Sequence, residues 1–67
     1  MTEASASAVV AVLMTAPDAE TGERLGARLV EERLAACANV VAGVVSIFRW
    51  EGDVKTEDEA LVILKTT

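Results

Sequence analysis

Sixty-seven residues make at most one domain, and 52% of them are apolar while only Phe48 and Trp50 are aromatic, so the core is aliphatic. The net charge is −5, with six basic residues scattered between Arg24 and Lys65. That excludes the clustered Lys and Arg that phosphate backbones or anionic membranes require, so neither nucleic acid nor a membrane is expected as a partner. A chain this short buries only about 60% of its unfolded surface. Its apolar excess therefore points to contacts with further protein surface.

Residues 1–7 are Ser, Ala and Thr with Met1 and Glu3, and read as a disordered lead. No positively charged leader precedes an apolar segment, and the run Ala8 to Met14 is far too short to span a bilayer. With Cys37 as the single cysteine, no intrachain disulfide forms, and a cytoplasmic location is expected.

The run Ala8 to Met14 contains three Val and predicts a strand buried on both faces. Thr15-Ala16-Pro17-Asp18 ends it; Pro17 and Asp18 suit the start of a helix. The helix is expected to reach about Leu34. Leu25, Leu29, Val30 and Leu34 share one side with Gly22, Gly26 and Ala27, opposite Glu20, Arg24, Arg28, Glu31 and Glu32. Each of the two glycines weakens the helix by ~1 kcal/mol relative to Ala. Close approach of the helix to a sheet is the compensation.

Small residues from Ala35 to Asn39 form a tight passage, with Cys37 expected partly or wholly buried near the end of the first strand. Val40-Val41 begins an extended segment, Ala42-Gly43 interrupts it as a bulge or bend, and Val44 to Trp50 continues it. Glu51-Gly52-Asp53 signals a hairpin turn. In the return strand, Val54 to Lys65, the first part is polar through Glu59. Ala60-Leu61-Val62-Ile63-Leu64 is apolar and reads as central and buried. Twelve extended residues span about 40 Å, whereas the helix covers about 26 Å. The hairpin therefore outruns the helix as an arm, and its outgoing strand carries Val45, Ile47, Phe48 and Trp50. An isolated hairpin is marginal in water, so a neighbouring subunit is expected to cover it.

A strand, a helix and a long hairpin make an α+β fold: the β-α-β-β portion of a split βαβ, or ferredoxin-like, unit, with an antiparallel sheet and the helix on one face. Residues 8–67 are the expected partial domain. The complete motif has a further helix and strand that these residues do not include.

Four segments carry a resemblance: Met14-Thr15-Ala16-Pro17-Asp18, Glu31-Glu32-Arg33-Leu34-Ala35-Ala36-Cys37-Ala38-Asn39, Ser46-Ile47-Phe48-Arg49-Trp50-Glu51-Gly52 and Leu64-Lys65-Thr66. In order and spacing they resemble the CutA divalent-cation tolerance family from about Val9 onward. The resemblance implies a ferredoxin-like fold, a tight homotrimer, binding of copper or another divalent cation, and no established enzymatic activity. Some members have Cys where this chain has Met14. Family metal binding is linked to a later His, and these residues contain none.

Cys37 is the sharpest metal candidate, since a thiolate binds soft Cu(I) and the resemblance points there as well. The alternative is an inert small residue in an Ala-rich junction. Met14 offers a thioether or simply fills space. Glu57 and Glu59 share one strand face while Asp58 takes the other, so this acidic run reads as a solvated arm rather than an oxygen-ligand site. Phe48 and Trp50 share a face and read as anchors of a subunit interface with Val45 and Ile47. Arg49 points the opposite way, toward an acidic partner across the strand or the interface. Without His, Ser-His and Cys-His nucleophile arrangements are unavailable, and the glycines match no phosphate-binding loop, so no enzyme is expected. The function expected is that of a trimeric CutA-like protein in divalent-cation (copper) tolerance. The alternatives are a structural oligomerisation module with incidental metal association and, more distantly, a thiol-redox protein using Cys37.

Overall fold

Asp18 divides the first strand from the helix. Its backbone is extended (φ −153°), and its carboxylate accepts a 2.7 Å hydrogen bond from the Thr21 backbone N–H, satisfying one of the free donors of the first helical turn. In this computed structural model, which describes residues 9–66, the element order is β1 (Val10–Ala16), α1 (Ala19–Glu31), β2 (Cys37–Trp50) and β3 (Asp53–Thr66). The expected lead, residues 1–7, lies outside the described residues.

The sheet order is β1-β3-β2, and β3 is antiparallel to both neighbours. β1 and β2 therefore run parallel with β3 inserted between them, which is the split βαβ arrangement with α1 as its crossover. β3 is central because it carries the apolar run. Ala60, Val62 and Leu64 are buried, with Val62 fully inaccessible, while Leu61 and Ile63 between them are half-buried. The alternation shows one covered face and one open face.

α1 lies on the covered face through its glycines. A Cβ on Gly22 would stand 3.1 Å from Val62 Cγ2 and 3.3 Å from Val40 Cγ1. One on Gly26 would stand 3.0 Å from Ala38 Cβ. The helix thus sits at backbone distance from the sheet, as its Gly22/Gly26 pair predicts. Met14, Leu29, Ala38 and Val40 pack around the buried cluster of Ala16, Ala35, Val62 and Leu64.

Several boundaries differ from the sequence reading. β1 extends two residues past Met14, to Ala16, and is not buried on both faces: Val10, Val12 and Leu13 are exposed. It is an edge strand, and its second face has no layer upon it among the described residues. α1 ends at Glu31 rather than near Leu34. Arg33 turns left-handed (φ 61°), its N–H reaches Val30 O at 3.1 Å, and the Leu34 N–H reaches Leu29 O at 2.9 Å. These paired bonds form a Schellman stop. Leu34 accordingly leaves the apolar stripe and is exposed. Ala36 N–H to Lys65 O (2.8 Å) and Thr66 Oγ1–H to Leu34 O (3.0 Å) tie this turn to β3.

β2 begins at Cys37, so the small-residue passage is already strand there. The interruption at Ala42-Gly43 is a bulge. Val41 pairs with Leu61 and Val44 with Glu59, leaving Ala42 and Gly43 opposite Ala60, and Gly43 takes φ 77°. The turn is the two-residue Glu51-Gly52, with φ 50° and 86°, and Trp50 pairs with Asp53. The molecule is 47 Å long and 18 Å thick, because both long strands outrun the helix.

Candidate functional site

Residues directly opposite in an antiparallel ladder share a face. Ala16, Val40 and Val62 all meet Gly22, so they and their same-parity neighbours face the helix. The other face carries Leu13 beside Ile63 and Asn39, Thr15 beside Leu61 and Val41, and Ala11 beside Lys65 and Cys37. Leu13 is 66% exposed and Val41 45%, with Leu61 and Ile63 half-buried between them. This open apolar face is what the sequence reading missed. The signal was present: in each continuous apolar run, every second residue must point away from a single covering helix.

Beyond the bulge the open face continues into the arm through Val44, Ser46, Phe48 and Trp50, opposite Glu59, Glu57, Lys55 and Asp53. Val45, Ile47 and Arg49 lie on the reverse face, opposite Asp58, Thr56 and Val54. The five residues expected at an interface therefore divide between the two faces of the arm. Trp50 is 61% exposed and Ile47 71%. Apolar surface at this density on a two-stranded ribbon has no cover among the described residues. Arg49 lies opposite Val54 rather than an acid. The ion pair found among the described residues is Arg28–Glu32 on α1 (2.6 Å), a solvated pair of small energetic weight.

The donor atoms do not converge. Cys37 is half-buried at the start of β2, its Sγ 3.8 Å from Asn39 Oδ1. It lies level with Ala11 near the start of β1, not near the end of that strand as expected, because β1 and β2 run parallel. Met14 pairs with Val62 and packs against the buried cluster on the helix face. The two sulfur residues thus occupy opposite faces, with β3 between their strands. No group of three His, Cys, Asp or Glu that can hold a metal occurs among the described residues. One described chain does not fit a copper centre. Glu57, Asp58 and Glu59 are arm residues with faces divided as expected.

No helix among the described residues is long and apolar enough to cross a membrane. Among curated relatives, the "Divalent-cation tolerance protein CutA" of Thermus thermophilus is 50% identical over 56 residues, which cover 84% of this chain and 54% of that protein. The Escherichia coli K12/DH10B protein of the same description is 46% identical over 65 residues, 97% of this chain and 58% of the relative. The solved Thermus thermophilus structure, described as a divalent cation tolerance protein (Cut A1), superposes with a TM-score of 0.83 at 47% identity, over 88% of this chain and 57% of that one. A solved structure from Archaeoglobus fulgidus, described as the periplasmic divalent cation tolerance protein CutA, superposes with a TM-score of 0.81 at 40% identity, over 87% and 56%. The chain thus spans a little over half the length of these bacterial and archaeal relatives. Residues 10–67 match the family described as CutA1 divalent ion tolerance protein, and this chain belongs to that family.

Proposed function

We propose that the chain assembles with copies of itself as a homotrimer that serves divalent-cation tolerance, non-enzymatically and in the cytoplasm. The carrying observation is the arm: Ile47 and Trp50 expose apolar surface on opposite faces of a ribbon that α1 does not reach. Physics asks for a partner, and the family resemblance supplies the number three. The relatives' descriptions support the cation role. Sedimentation of the chain at micromolar concentration tests the assembly. Trp50→Ala removes a desolvated anchor worth on the order of 2 kcal/mol, so the variant dissociates or aggregates. An unchanged oligomer with an unchanged thermal midpoint overturns the reading.

The separation of Cys37 from Met14 favours a second reading, a structural oligomerisation module with incidental metal association. Copper is the discriminating probe, since any Cys37 site must recruit donors from beyond the described residues. Calorimetric titration that shows stoichiometric binding, lost in Cys37→Ser while the oligomer persists, supports the cation role. Weak binding that is unchanged in Cys37→Ser supports the structural module.

A further inference from the structure

We draw no further inference here: the strongest candidate, the open groove between α1 and the edge strand β2 lined by Gly26, Ala27, Val30, Ala38 and Val40, is an unpartnered apolar face, and nothing in the structure shows what covers it.

Discussion

Gly26 and Ala38 bring α1 and β2 into contact with no side chain to spare: a Cβ at position 26 would lie 3.0 Å from the Ala38 Cβ. Neither partner has a flexible end that can yield. Gly26→Leu is expected to lower stability by about 1–3 kcal/mol through overpacking. In a domain of this size each kcal/mol moves the thermal midpoint by about 4–8 °C. Ala27→Leu, at the adjacent exposed position, is expected to stay within about 0.5 kcal/mol of the parent. Equal midpoints for the two variants would place Gly26 away from the sheet.

Asp18 makes the helix start sensitive to acid. Its carboxyl is held below the usual aspartate range, chiefly by the hydrogen bond from the Thr21 backbone N–H. The Thr21 side chain and the charge of Arg24 add to this, while slight desolvation opposes it. The folded pKa thus lies below the unfolded value of about 3.9. The stabilisation is present above that value and is lost as pH falls through the folded pKa. Asn caps comparably but does not titrate. Thermal midpoints followed below about pH 5 are expected to fall more for the parent than for Asp18→Asn, and parallel curves would refute the linkage.

Arg33 stops the helix in a conformation that glycine adopts without strain. The left-handed region costs an L-residue about 1–2 kcal/mol, and glycine returns about 0.5–1 kcal/mol of that through its freer unfolded state. Arg33→Gly is therefore expected to stabilise by about 0.5–1 kcal/mol, raising the urea midpoint at unchanged slope. A lowered midpoint would mean that the Arg33 side chain makes a stabilising contact of its own.

The hairpin turn allows the same test at the other end of the molecule. Glu51 and Gly52 both have positive φ, the requirement of a type I′ turn, for which Asn-Gly is the favoured pair. Glu51→Asn is expected to raise stability and Gly52→Ala to lower it, each by an amount on the order of 1 kcal/mol, read as opposite shifts of the thermal midpoint. Opposite signs at adjacent positions distinguish turn geometry from a general loss of arm contacts.

Because Phe48 and Trp50 lie on one face of the arm and Val45 and Ile47 on the other, an enclosed arm predicts two separable effects. Ile47→Ser and Trp50→Ser are each expected to shift the oligomer toward smaller species, and the double variant further than either. Glu31→Ala, at an exposed polar position on α1 away from the arm, is expected to leave the sedimentation profile unchanged. If only the Trp50 face responds, the Ile47 face remains in solvent in the assembled protein.

The order of elements was legible because three of the junctions are written in local chemistry: Pro17-Asp18 before the helix, Gly43 at the bulge and Glu51-Gly52 at the turn. The close helix approach was legible from two glycines four residues apart. The helix end was not, because Arg33 occupies the position where a glycine would have announced it. Burial of β1 was misread because an apolar run states what a strand can bury, not which neighbours are there to bury it. Cys37 and Met14 could not be placed relative to each other before the strand order was known. Inserting β3 between β1 and β2, together with residue parity, decides both their separation and their faces.

The insertion of β3 also sets the order in which the chain can assemble. The β2–β3 ladder zips outward from a two-residue turn, and α1 forms from neighbours in sequence. The β1–β3 ladder instead joins residue 10 to residue 66 and residue 16 to residue 60, so it closes a loop that holds all of α1 and β2. Such long-range closure is entropically costly before any contact rewards it. β1 therefore meets the larger closure cost of the two ladders. During synthesis its uncharged stretch from Val9 to Met14 leaves the ribosome before β3, the strand with which it pairs. That interval is when an exposed, strand-forming apolar segment is most open to pairing with the wrong chain.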